Sequence, residues 1–108
     1  MSPVYVSIGN SDDKLTQLDW YRFVNLLQGA VRLESSQVYG VWFSEPASQY
    51  QNMCMAAEVD KRSMTKLRKR LAGLAADFRQ DSIALAVATT TEFVRAVAGD
   101  STVEATNV

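Results

Sequence analysis

The sequence predicts an α+β domain in which a four-stranded antiparallel sheet carries two helices on one face. Four segments have the alternating or β-branched pattern of strands, and two segments place apolar residues at helical spacing. These elements follow in the order βαββαβ, which is the split βαβ arrangement of ferredoxin-like domains. The chain has 108 residues, of which 47% are hydrophobic, so it can bury a core without disulfides or metals.

The first half of the chain supplies two strands and one helix. Residues 4–8 alternate Val, Val and Ile with smaller or aromatic side chains and predict the first strand. The apolar spacing of residues 20–31 predicts the first helix, capped by the Thr16 hydroxyl or, one turn earlier, by Ser11. Residues 38–43 are rich in β-branched and aromatic side chains and predict the second strand.

The second half repeats this order. A short loop leads to residues 52–59, which predict a third strand paired with the second as a hairpin. The second helix begins at Asp60 or Ser63 and carries an apolar stripe at helical spacing. Residues 82–89 alternate large apolar side chains with alanine and predict the fourth strand.

Beyond the fourth strand, we expect residues 90–98 to form one helical turn or an edge segment. We expect residues 1–98 to form a single ferredoxin-like domain, because no linker or repeat divides them. Residues 99–108 have too little apolar content to pack and predict a flexible C-terminal tail.

Charge and hydropathy limit the classes of partner. Eleven Lys and Arg against twelve Asp and Glu give a formal net charge of −1, so the surface as a whole is not built to hold a polyanion. No run of about 18 apolar residues occurs, so we expect no contact with a membrane. A single unpaired cysteine is typical of a cytoplasmic protein, and that is the compartment we expect.

The chain has no histidine, which excludes Ser-His-Asp and Cys-His catalytic arrangements. Cys54 lies between methionines in a predicted strand and is interpreted as a small core residue. We therefore predict no catalytic residue, no cofactor and no metal site. The alternative is a metal-assisted hydrolase in which Asp12 and Asp13, with Asn10 and Ser11, hold a hard cation, although the same four residues are typical of a turn.

The second helix concentrates positive charge. Six of the eleven basic residues fall within ten positions. Those expected to point toward solvent, the basic face, are Arg62, Lys66, Lys69 and Arg70. This pattern fits a solvated surface and also fits a site for an acidic host protein. Nucleic acid is not an expected partner, because the third strand offers no aromatic side chain for base stacking.

The sheet face opposite the helices, called the open face below, is the main candidate for function. The candidate interface residues on it are Tyr5, Trp42, Ala84 and Ala86. This assignment directs Tyr39, Val41 and Phe43 of the second strand toward the helices. Such a floor is too apolar to stay uncovered, so we expect a second copy of the chain, a small planar ligand under Trp42, or residues 92–97 to cover it.

Polar side chains at the loop ends support an alternative function, a protein that sequesters a small ligand or nucleotide. Loops held by rigid strands commonly carry binding residues. The candidate ligand-binding residues are Asn10, Ser11, Asp12, Ser44, Tyr50, Asn52 and Arg79.

Three segments carry a resemblance to known proteins: YVSIGNSDDKLTQ from position 5, GVWFS from position 40 with YQN from position 50, and RQDSIA from position 79. In these segments the chain resembles a group of small proteins of actinobacteria and their phages that has no assigned activity. The resemblance implies an accessory or phage-borne protein and transfers no functional residue. The sequence as a whole predicts a non-enzymatic binding protein that forms a homodimer.

Overall fold

Four strands form one antiparallel sheet in the computed structural model of the protein, which describes residues 1–10, 15–45 and 50–97. The elements are β1 (Ser2–Gly9), α1 (Gln17–Glu34), β2 (Gln37–Phe43), β3 (Asn52–Val59), α2 (Lys61–Asp77) and β4 (Ala84–Val87). The strand order across the sheet is β2-β3-β1-β4, with every neighbouring pair antiparallel. The predicted ferredoxin-like α+β fold is confirmed.

Alternation along the two central strands separates the faces of the sheet. Val4 and Val6 of β1 and Met53 and Met55 of β3 are buried in the core with residues of both helices. Successive strand side chains point to opposite faces, so the residues between these positions lie on the other side of the sheet. Both helices therefore cover one face, and no described helix covers the other.

The helices begin where side-chain oxygens can accept hydrogen bonds from the first backbone amides. The Thr16 hydroxyl accepts a hydrogen bond of 3.1 Å from the amide of Asp19 and caps α1, which confirms that prediction. Of the two predicted caps for α2, the structure has Asp60, whose carboxylate accepts from the amide of Arg62 at 3.2 Å. This hydrogen bond is the main reason why the pKa of Asp60 is lowered.

Aromatic side chains link the two helices within the core. The fully buried ring of Phe23 in α1 stacks on Phe78, just after α2, with ring centroids 4.8 Å apart. Trp20, one turn earlier in α1, meets the Phe23 ring edge-on at 6.4 Å. Neither described helix is long and apolar enough to cross a membrane.

The fourth strand is shorter than predicted. Instead of residues 82–89, only Ala84–Val87 form β4, which pairs with residues 4–7 of β1. Residues 90–97 form neither the helical turn nor the edge strand that the sequence predicts. Every side chain from position 89 to 97 is exposed, so this segment gains no burial to offset the entropy of ordering it in the sheet. The predicted tail, residues 99–108, lies outside the described residues.

Candidate functional site

The open face of the sheet gathers the residues that the sequence assigns to an interface. Its strand positions are Pro3, Tyr5, Ser7 and Gly9 in β1, Gln37, Tyr39, Gly40 and Trp42 in β2, Asn52, Cys54, Ala56 and Glu58 in β3, and Ala84 and Ala86 in β4. All four candidate interface residues are among them. Glu58 is the one charged residue of this set, and the uncharged polar side chains Gln37 and Asn52 lie at the strand ends, so the middle of the face is apolar and mixes aromatic with small side chains.

A β-bulge changes which side chains of β2 belong to the open face. The register shifts between Val38 and Gly40, which pair with consecutive residues of β3 and leave Tyr39 as the extra residue. Tyr39 therefore lies on the open face beside Tyr5, and the expectation that it points toward the helices is wrong. Val41 does pack against the core, whereas Phe43 is exposed at the end of this edge strand.

The indole of Trp42 lies over the backbone of Gly40. A Cβ atom built on Gly40 would be 2.9 Å from Cη2 of Trp42, closer than real side chains approach. The space under the indole is thus occupied by the protein's own backbone, which argues against the planar ligand expected there. The outer side of the ring remains free, and 56% of the Trp42 surface is exposed.

Cys54 lies on the open face, half-buried, and not in the core. It is the register partner of Trp42 and lines a shallow cavity of about 370 Å³ that also contains Ser7. Its neighbours Met53 and Met55 occupy the core positions of β3, so the strand period of two turns the thiol to the other side. The interpretation of Cys54 as a core residue is therefore wrong.

A second cavity opens at the other end of the same face. It has a volume of about 570 Å³, and its walls include Tyr5, Tyr39, Glu58 and Phe93. The Tyr39 hydroxyl donates a hydrogen bond of 2.7 Å to Oε2 of Glu58, and this bond raises the pKa of Tyr39. The phenol therefore stays protonated and keeps donating. Sequence reasoning missed this pair, although Gly40 inside the predicted strand is the kind of signal that indicates a bulge.

The candidate ligand-binding residues are only partly brought together. Ser11 and Asp12 lie outside the described residues. The Ser44 hydroxyl accepts from the amide of Asn52 at 3.1 Å, next to exposed Tyr50, and helps to close the β2–β3 connection. Arg79 follows α2 and lines a different cavity, with Leu15, Asp19 and Asp77 among its neighbours.

The side chain of Asn10 stabilises the connection between β1 and α1. Its buried side chain donates to the Leu15 carbonyl at 3.0 Å and accepts from the Leu15 amide at 3.1 Å, so it holds together the two ends of the β1–α1 connection. We expect Asn10→Ala to lower the free energy of unfolding by about 1–3 kcal/mol, because buried Leu15 groups lose their partner. Urea denaturation measures this change. An unchanged denaturation midpoint would mean that Asn10 does not stabilise the fold and that its side chain is available to bind a ligand.

A metal centre finds no support in the described part of the chain. Within residues 1–10, 15–45 and 50–97, no three Cys, Asp or Glu side chains are grouped to hold an ion. The candidate cation site of Asp12 and Asp13 lies outside these ranges.

The basic face divides into two kinds of residue. Arg62, Lys66, Lys69 and Arg70 are all exposed, as predicted. Arg70 in addition reaches α1, where its Nε donates to Oε2 of Glu34 at 2.6 Å. The Glu34 side chain is only 8% exposed, so Arg70 compensates a nearly buried charge and joins the two helices.

We expect Arg70→Met to lower the free energy of unfolding by about 1–3 kcal/mol, because it leaves the Glu34 carboxylate buried without its partner. Lys69→Met, at an exposed position of the same helix, serves as the matched control and should change stability by less than about 0.5 kcal/mol. Guanidinium denaturation of both variants measures the difference. Equal effects would mean that the ion pair contributes nothing specific.

Comparisons with known proteins support the assignment of the fold. No protein-family model and no curated protein sequence matches this chain significantly. Among solved structures, the chain is similar to a Deinococcus radiodurans protein described as a "putative antibiotic biosynthesis monooxygenase". The TM-score is 0.55 at 8% sequence identity, and the match covers 91% of this chain and 100% of that one. At this identity the likeness supports the ferredoxin-like fold alone.

Proposed function

We propose that this protein acts by binding and not by catalysis, and that a second copy of itself covers the open face. The observation that carries the proposal is the apolar floor on which Tyr5, Tyr39 and Trp42 are each about half exposed. A contiguous apolar surface of this kind is typical of an interaction site. In the described part of the segment after β4, Phe93 lines a cavity at one end of this face, but residues 89–97 are all exposed and leave Trp42 and Ala86 uncovered.

The pattern of side-chain sizes favours a second copy over an unrelated partner. Large side chains stand beside small ones: Tyr5 is the register partner of Ala86, and Trp42 is the partner of Cys54. In a twofold arrangement the same patch meets itself, so the aromatic rings of one copy can fill the alanine floor of the other. The face also lacks a cluster of like charges that would oppose this contact, since Glu58 is its one charged strand residue.

The size of the face is sufficient for a dimer. The strands have eight, seven, eight and four residues. At about 3.4 Å per residue and about 4.8 Å per strand they project about 450 Å² per copy, so two copies bury about 900 Å², close to the roughly 1,000 Å² of a small specific interface. Phe93, which is almost fully exposed and lines a cavity on this face, would add apolar area.

Sedimentation velocity over a protein concentration range of about 1–100 μM tests the proposal. We expect the weight-average sedimentation coefficient to rise with concentration from that of one chain to that of a dimer. A coefficient that stays at the monomer value throughout, with Trp42 fluorescence typical of a ring in water, would contradict it.

The composition supports a binding role for the whole protein. The chain has no histidine, and the described residues that line the cavity of its single cysteine include no Asp, Glu or Lys side chain that could act as a general base. The name of the Deinococcus radiodurans protein describes that protein's assignment, and 8% identity does not carry it over. The resemblance to small actinobacterial and phage proteins supports an accessory setting, in which the exposed part of the basic face would meet an acidic host protein.

A further inference from the structure

The cavity at the Tyr39 end of the open face combines one carboxylate with aromatic walls. Glu58 is half-buried there, and its Oε2 accepts the hydrogen bond of the Tyr39 hydroxyl. Within residues 1–10, 15–45 and 50–97, no donor forms a hydrogen bond with its other oxygen and no Lys or Arg forms an ion pair with it. A carboxylate can accept several more hydrogen bonds or a cation, so this one retains most of its binding capacity.

The aromatic side chains of the cavity strengthen the preference for positive charge. Tyr5 and Tyr39 form two walls, and the Phe93 ring, 87% exposed, stands at the mouth. The faces of aromatic rings carry partial negative charge and attract organic cations. Neither lysine nor arginine is among the residues that line this cavity, and Glu58 is its one charged side chain.

We propose that this cavity binds a small organic cation, an ammonium group with apolar substituents, between Tyr5, Tyr39 and Phe93, with Glu58 as its counter-ion. A hard metal ion does not fit, because one carboxylate beside aromatic walls supplies too few oxygen ligands. The cavity volume of about 570 Å³ lies within the range of small-molecule binding sites. The proposal goes beyond self-association, since one chain contributes every group, and because Tyr5 and Tyr39 also lie on the proposed dimer face, the titration is made at concentrations where sedimentation shows the monomer.

Choline and its uncharged isostere 3,3-dimethyl-1-butanol are the probes that test this site. Calorimetric titration of the wild-type protein should give choline an affinity at least about tenfold higher than that of the alcohol, because only the cation interacts with the carboxylate and the ring faces. Amide NMR shifts should change at Tyr5, Tyr39 and Glu58. Equal affinities, or no saturable binding of choline below about 10 mM, would overturn the proposal.

Substitutions separate the roles of charge and ring. Glu58→Gln should weaken choline binding about tenfold and leave the alcohol unaffected, whereas Asp77→Asn, which removes one negative charge from the helix side, should change neither. Tyr39→Leu should weaken choline binding several-fold, whereas Tyr39→Phe, which keeps the ring, should bind choline about as tightly as the wild type does. If Glu58→Gln and Asp77→Asn have equal effects, the cavity attracts cations only through net charge and the proposal fails.

Discussion

Phe23→Ala is expected to lower the free energy of unfolding by about 3–5 kcal/mol, because the ring is fully buried and the surrounding helices cannot close the cavity it leaves. The same ring stacks on Phe78 and touches the edge of Trp20, so the substitution also removes two aromatic contacts. This loss is a large part of the stability of a small domain. Urea denaturation followed by far-UV circular dichroism measures it.

Leu26→Ala provides the control for Phe23→Ala within the same helix. Leu26 is more than half exposed on the outer surface of α1, so its truncation should cost less than about 0.5 kcal/mol. A small effect of Phe23→Ala, comparable with that of Leu26→Ala, would mean that the helices do not pack on the sheet through this ring.

Ala86→Arg is expected to raise the dissociation constant of the dimer at least about 30-fold. Ala86 is exposed on β4 beside Tyr5, so the arginine is tolerated in one chain but would be buried without a partner charge between two. The fold should be unaffected, with a change in unfolding free energy within about 0.5 kcal/mol. Sedimentation equilibrium of both proteins gives the two dissociation constants.

Leu33→Arg is the matched control for the other side of the molecule. Leu33 is 64% exposed on the helix layer and lines a groove between α1 and α2. If the open face is the interface, this substitution leaves dimerisation unchanged. Loss of the dimer in Leu33→Arg and not in Ala86→Arg would move the interface to the helices.

The fold could be predicted from local patterns because each element agrees with the global arrangement. The alternation of Val4, Val6 and Ile8 and the helical spacing after Trp20 assign buried faces without any knowledge of neighbouring elements. The hydroxyl of Thr16 marks the start of α1 by the same local logic. These signals depend only on the local spacing and type of residues, which is why they are visible in the sequence.

The errors arise where one element's environment depends on another. The bulge before Gly40 reverses Tyr39, and although a glycine within a strand signals a bulge, the side chain that it turns depends on the register with β3. The apolar neighbours of Cys54 predict a core position for it, whereas in the strand those neighbours alternate with it. The ion pair of Glu34 and Arg70 spans two helices, so neither residue carries a local sign of it.

The reactivity of the Cys54 thiol tests the central claim most directly, because this cysteine is the one in the sequence and lies half-buried on the open face. Its rate of reaction with a disulfide reagent can be measured across the concentration range of dimerisation. We expect the rate constant to fall with the monomer fraction in the wild type and to stay constant in Ala86→Arg. A constant rate in the wild type while sedimentation shows dimers would contradict an interface on the open face.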